Sequence, residues 1–336
     1  MSHPSAAAQR DRIAAFWSWW SGGGAEAASR AIEAGDTDAL LRLTTDRVDA
    51  LDPRLAWEYG AGPDGSTSLA VTAGGDPEVR ALARRWLLAA PRTDGWTFHD
   101  LRQPAPDGTV LTFGADRFAD VDVVVATVRR GPVIDVEVHH PGFAAIPAEA
   151  AAQIAFLMLD NAVGEEAVEL WVGRVEPVTV VPKDGVPLAH LPGVIDALRR
   201  EHTDPDGGLS WLLLRGAGPT IARVRVRLSS VNDPSYDTHV AVQVPYEARE
   251  DGLPVSGKTD LLAAFEDHLI ERLAGSGTVV AVETSRGIRT IHVYVDGTTP
   301  AVGMIEAATR GWPNGTVEIH ARYDPAWADV QHFRVA

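Results

Sequence analysis

Gly252-Leu253-Pro254-Val255-Ser256-Gly257-Lys258-Thr259 carries the glycine, lysine and hydroxyl spacing of a phosphate cradle. In such a loop, backbone N–H groups surround phosphate oxygens at a helix N-terminus, and the lysine and hydroxyl complete the site. A helical pattern does follow, from Thr259 to Leu273. Three features oppose the reading. Pro254 removes an N–H from a loop that must present them. The preceding strand ends near Val244, with Pro245 and a charged run in between. The surrounding element order suggests an antiparallel sheet rather than the parallel one such loops require. A nucleotide-binding enzyme using residues 252–259 is therefore kept as an alternative.

Gly60-Ala61-Gly62-Pro63-Asp64-Gly65 fits a dinucleotide fingerprint, but a strand pattern follows at Ser68 where a helix is required. Turn chemistry explains Pro63-Asp64-Gly65 better. His139 and His140 are adjacent on a strand, so their side chains diverge to opposite faces and do not easily chelate one ion. His292, His320 and His332 show no ligand spacing, and neither the HExxH motif nor the GxSxG nucleophile elbow occurs. The pairs Glu165-Glu166 and Glu266-Asp267 diverge by about 100° on a helix and read as solvated faces. The sequence thus assigns no catalytic residue, no cofactor and no metal site. The remaining candidate is aromatic. Trp17, Trp19 and Trp20, with Phe16, lie on a short helix from Ile13 to Trp20, either docked on the core or serving as anchors for a protein partner.

Composition narrows the classes. The chain has 336 residues, a net charge of −16 and no cysteine. Disulfides and thiolate chemistry are excluded. Lysine occurs only at 183 and 258 and the arginines are scattered, so the reading is no nucleic acid. The longest apolar run, Ile154 to Leu159, is far short of the ~20 residues that cross a bilayer. The first residues hold no apolar segment of the signal-peptide kind. A soluble, acidic, cytoplasmic protein with no membrane partner is expected.

The elements repeat a strand–strand–helix–strand pattern three times. The first copy is Leu55–Tyr59, Ser68–Thr72, a helix capped by Asp76 with Pro77 at its first position, and Trp96–Leu101. The second is Val121–Val128, Val133–His139, a helix near Pro147–Val163 and a strand at Val168–Val175. The third is Val279–Thr284, Thr290–Val295, a helix at Thr298–Arg310 and Thr316–Arg322, with the strand His239–Val244 and the Thr259 helix ahead of it. Ser21-Gly22-Gly23-Gly24 is expected to end the first helix. The fold class is α+β, with repeated ββαβ units forming ferredoxin-like antiparallel sheets and helices packed on one face. An N-terminal domain is expected over 1–185, a connecting segment over 186–204, and a C-terminal ferredoxin-like domain over 205–336.

Asp251-Gly252-Leu253-Pro254, Phe265-Glu266-Asp267, the strand Arg289 to Val295, and Asp324-Pro325-Ala326-Trp327 leading to Phe333 form a set. In these stretches the C-terminal part resembles a bacterial family of unknown function, number six hundred and ninety-five. The N-terminal half resembles a region of other bacterial proteins through Phe16-Trp17-Ser18-Trp19, Leu55 to Gly60, and Ile154 to Glu165. The family's Asp-Gly-Leu-Pro loop normally leads into its helix without Gly-Lys-Thr, which makes the phosphate-loop match look accidental. Some relatives carry a domain similar to the ribonuclease E inhibitor RraB, a protein-binding regulator of ferredoxin-like shape, which implies a binding role by analogy. The expectation is a non-enzymatic protein-interaction or regulatory module. Nucleotide-dependent catalysis and small-ligand binding are the alternatives.

Overall fold

The computed structural model describes residues 6–105, 108–205 and 207–334. The chain divides into two compact units, one ending at Glu201 and the other starting at His202. Helices and several antiparallel or mixed sheets make it an α+β protein.

The first unit begins with α1 (Ala6–Trp19), α2 (Ala25–Glu33) and α3 (Thr37–Asp49). The glycine run does not end the first helix. Residues Trp20–Gly24 form a wide π-turn, with Gly23 at φ 124°, and the chain continues directly into α2. A turn of this width spreads the helix by one residue, and only glycine accepts the positive φ without strain. Asp36 caps α3 through the Ala39 N–H at 2.9 Å.

Strands β1 (Ala56–Ala61) and β2 (Thr67–Thr72) pair antiparallel; α4 (Pro77–Leu88) follows, capped by Asp76, and β3 (Trp96–His99) returns parallel to β2. A hairpin that the sequence patterns do not announce comes next, β4 (Val110–Phe113) and β5 (Asp116–Ala119). The second copy contains β6 (Val124–Arg130), β7 (Val133–His139), α5 (Ala148–Val163), α6 (Glu165–Trp171), β8 (Val172–Val178), β9 (Val186–Pro187) and α7 (Leu191–Glu201). Here β6 and β7 are antiparallel while β7 and β8 are parallel. The expectation of purely antiparallel sheets is therefore corrected. A helix between two neighbouring strands reverses the chain once more than a hairpin does, so the strand after it runs parallel. The expected strand at Val168 starts only at Val172, because Glu165–Trp171 adds two helical turns that bury Val168 and Trp171.

The second unit holds β10 (Trp211–Arg215), β11 (Ile221–Arg225), β12 (Thr238–Pro245), α8 (Lys258–Leu273), β13 (Gly277–Ser285), β14 (Ile288–Val295), α9 (Ala301–Ala308) and β15 (Glu318–Tyr323). They form one antiparallel sheet in the order β10-β11-β13-β14-β12-β15. Alternation sorts its faces. Val240, Val242 and Val244 of β12, with Ile291, Val293 and Val295 of β14, pack with the α8 residues Leu262 and Leu269. The last strand of this copy departs from the repeat, since β15 pairs with β12 and not with β14.

The first unit's core is aromatic. The Trp17 ring stacks on Trp86 at 4.7 Å between centroids, and Trp20 meets Trp96 edge-on at 4.8 Å. The Trp17 indole N–H donates to the Trp86 carbonyl at 2.9 Å, which satisfies the polar tip of a buried ring. Trp17→Ala should cost about 3–5 kcal/mol, as expected for a buried aromatic. Trp19→Ala should cost clearly less. Urea unfolding followed by tryptophan fluorescence checks both.

Candidate functional site

On the face of the C-terminal sheet opposite α8 and α9, alternation places His292 and Tyr294 of β14 beside His239 of β12. His239 lies opposite Tyr294 and Ala241 opposite His292, so the two histidines are diagonal neighbours on one face. Their rings stack, and His239 Nε2 lies 3.0 Å from His292 Nδ1. On its other side, His239 Nδ1 is 3.1 Å from a carboxylate oxygen of Asp329. The resulting order is Asp329, His239, His292.

The segment that supplies Asp329 is held by Asp324. The Asp324 carboxylate accepts the Tyr294 hydroxyl at 2.6 Å and the N–H groups of Ala328 and Asp329 at 2.8 and 2.9 Å. Trp327, at φ 55°, stacks on Tyr294 at 4.3 Å and donates its indole N–H to the Tyr236 carbonyl. Val330 and Phe333 complete an apolar cover with Ala222, Val224 and Val280. Asp324-Pro325-Ala326-Trp327 is thus a structural clamp.

Burial sets the protonation states. It depresses His239 from 6.5 to about 4, and depresses His292 to about 3 with help from its two histidine neighbours. For Tyr294, burial and then the adjoining Asp324 carboxylate push the phenol far above its ordinary value. Both imidazoles are neutral at pH 7. With His239 Nδ1–H facing Asp329, its Nε2 accepts from His292 Nδ1–H, and His292 keeps Nε2 as an acceptor. An imidazole held this far below neutrality is a weak base, poorly matched to proton transfer near pH 7.

The first unit has its own buried charged cluster. Arg102 donates to Glu58 on β1 and to Asp160 on α5, each at 2.7 Å. Its backbone N–H donates to the Glu165 carboxylate at 2.9 Å, and its carbonyl accepts the Glu165 N–H at 3.0 Å. Burial raises Asp160 to about 6, against the pull of Arg102. Three sequence-distant segments meet here: β1, the stretch at Arg102 and the α5–α6 junction.

The glycine loops take shapes of their own. Between Tyr246 and Lys258 the chain closes a small bridge, Ala248 with Pro254. The Gly252 N–H goes to the Arg249 carbonyl, Leu253 N–H to the Asp251 side chain, Val255 N–H to the Glu247 carbonyl and Lys258 N–H to the Val255 carbonyl. These amides do not converge on a common point. The Lys258 ammonium contacts Asn314 at 3.1 Å. Residues 60–65 form a hairpin turn with the Gly62 N–H on the Ser66 carbonyl, and β2 follows. His139 and His140 are both buried, and His140 Nδ1 accepts the Gly142 N–H at 3.0 Å. No group of three or more potential ligands that could hold a metal ion occurs among the described residues. No helix among them is long and apolar enough to cross a membrane.

Trp17 and Trp20 are core residues, while Trp19 keeps partial exposure with the Arg47 guanidinium 5.2 Å from its ring centroid. Beside the π-turn lies a groove of about 680 Å³ lined by Trp20, Trp96, Ser29, Arg30 and Arg92, among others.

The C-terminal unit's clamp and histidine pair lie in a stretch with known relatives. Residues 216–333 match the family of unknown function DUF695. The DUF695 match spans β11 to β15 with both helices, and stops short of β10. His239, His292, Tyr294, Asp324, Trp327 and Asp329 all fall within it. No curated protein matches the chain.

The alternation of His239-Val240-Ala241-Val242 places His239 on the face opposite the valines, a signal that could have been read from sequence. The Arg102 cluster had no comparable signal.

The histidines bind fewer protons folded than unfolded between pH 6.5 and their depressed values. Their stabilisation is therefore complete above 6.5 and lost as pH falls toward 4 and then 3. At about 1.4 kcal/mol per pKa unit the loss is several kcal/mol. Urea midpoints of the C-terminal unit at stepwise lower pH should fall accordingly, and His239→Leu with His292→Leu should flatten the slope. For the glycine loop, ATP or GTP with magnesium should leave the melting temperature unchanged, in wild type and in Lys258→Ala alike.

Proposed function

We propose that this chain is a protein-interaction or regulatory module rather than an enzyme, working through the groove beside its N-terminal aromatic helix. The observation that carries the reading is the groove itself. Its side at Gly23 is open, since a Cβ there would meet nothing within 4 Å. Trp96 gives it a partly exposed aromatic wall backed by the buried Trp20, and Glu26, Arg30, Arg92 and Asp94 supply both charge signs. Aromatic surface ringed by charge suits a polypeptide segment, whose side chains bring apolar anchors and either charge. Trp17 and Trp20 then act from the core behind the groove, Trp19 lies outside its lining beside Arg47, and Trp96 is the tryptophan available for direct contact.

The clusters elsewhere agree with this assignment. The histidine pair is neutral and internally bonded, and Arg102 is committed to acidic partners. The C-terminal order β15-β12-β14-β13, with α8 and α9 as its crossovers, supports a ferredoxin-like reading of that unit. A cytoplasmic setting fits a cysteine-free, acidic composition.

A second reading, small-ligand binding, is favoured by a pocket of about 440 Å³ in the first unit. Met158, Leu188 and Pro192 form apolar walls there, and Asn161 and Thr109 supply polar groups.

The test is affinity capture from cell extract with three baits: wild type, Arg92→Ala at the groove wall, and Ser29→Trp to fill the groove. One protein should be recovered by wild type, weakened by the first variant and lost with the second. Recovery of the same proteins by all three baits would sink the groove reading.

A further inference from the structure

We infer that two copies of this chain associate by pairing β15 with β15 antiparallel, centred on His320, and this rests on the C-terminal sheet alone rather than on the groove. Strand β15 sits at the sheet edge, and all its residues except the half-buried Ile319 are exposed. The Asp324 N–H donates to the Asp237 carbonyl at 2.8 Å, which fixes the phase of the β12–β15 ladder. In an antiparallel ladder, directly opposed residues alternate between bonded and non-bonded pairs. Asp324, Arg322, His320 and Glu318 therefore turn their backbone groups toward β12. Ala321 and Ile319 turn theirs outward, to the edge of the sheet.

An incoming antiparallel strand must place outward residues against outward residues. For a second β15 this allows a twofold axis at His320, which sets Ile319 against Ala321 of the other copy in a bonded pair, twice over. Glu318 then falls opposite Arg322 in a non-bonded pair, again twice. Side chains in such pairs are the closest in a sheet, with Cα atoms about 4.5 Å apart. Glu318, His320 and Arg322 share the face opposite α8 and α9; Glu318 and Arg322 are exposed, and within one copy Arg322 also reaches Asp329 and Glu318 reaches His320. Charged residues on an edge strand normally discourage pairing with other strands. Here the acid and the base are spaced so that the reversed copy of the same strand satisfies both. The C2 operation makes the contact self-complementary and closed.

Sedimentation velocity and light scattering on the full chain test the pairing, with circular dichroism as the folding control. Wild type should be a dimer. Glu318→Arg should be monomeric, because the introduced guanidinium then faces that of Arg322. Ala321→Pro should also be monomeric while keeping its melting temperature, since the N–H it removes points away from β12. Glu318→Arg mixed with Arg322→Glu should form a heterodimer, because both facing 318–322 pairs are then acid against base. A monomeric wild type, or a folded Ala321→Pro that remains dimeric, would overturn the inference. A folded mixture that stays monomeric would overturn the register.

Discussion

The Asp324 carboxylate holds together what the C-terminal unit depends on. It accepts one phenol and two backbone N–H groups, and so anchors the segment Ala328–Phe333 to the sheet. A carboxylate with three donors is satisfied where it is buried, and the Tyr294 hydroxyl that would otherwise lie buried without a partner is satisfied as well. From that anchor follow the stacking of Trp327 on Tyr294, the apolar cover over Val224 and Val280, and the position of Asp329 beside His239. Removing the carboxylate would leave a buried hydroxyl and a turn without its cap, so the damage would spread beyond one bond.

Much of this architecture was legible in the chain. Asp36 and Asp76 mark helix starts because a short acidic side chain reaches the free N–H groups of a first turn. The β-strands of the third copy show because their faces alternate between valine or isoleucine and polar residues. The glycine run after Trp20 misled for a physical reason. Three glycines ordinarily end a helix, but here Trp17 and Trp20 before the run and Ala28 after it pack into one core and sustain a π-turn through them. Strand direction in the first unit was not legible, because residue alternation is the same in parallel and antiparallel strands. The β4–β5 hairpin is mostly exposed and so has little apolar alternation to read.

The site was less legible than the fold. Glycine and lysine spacing suggested phosphate chemistry, yet the amides of Gly252, Leu253, Val255 and Lys258 are bonded within the loop. The histidine pair was hidden because its members come together only through the β12–β14 register. Arg102 gathers Glu58, Asp160 and Glu165 from segments far apart in sequence, which no local spacing encodes. In each case the polar groups found their partners inside the protein.

The buried titratable groups of the C-terminal unit are structural, and an NMR titration of the His239 and His292 ring nitrogens in the folded chain tests this most directly. Both should stay neutral from pH 8 down past pH 5, in one tautomer each, with no inflection near 6.5. Reversible protonation of His292 between pH 6 and 7 in the folded protein would contradict a structural role and would return that histidine to consideration as a working acid or base.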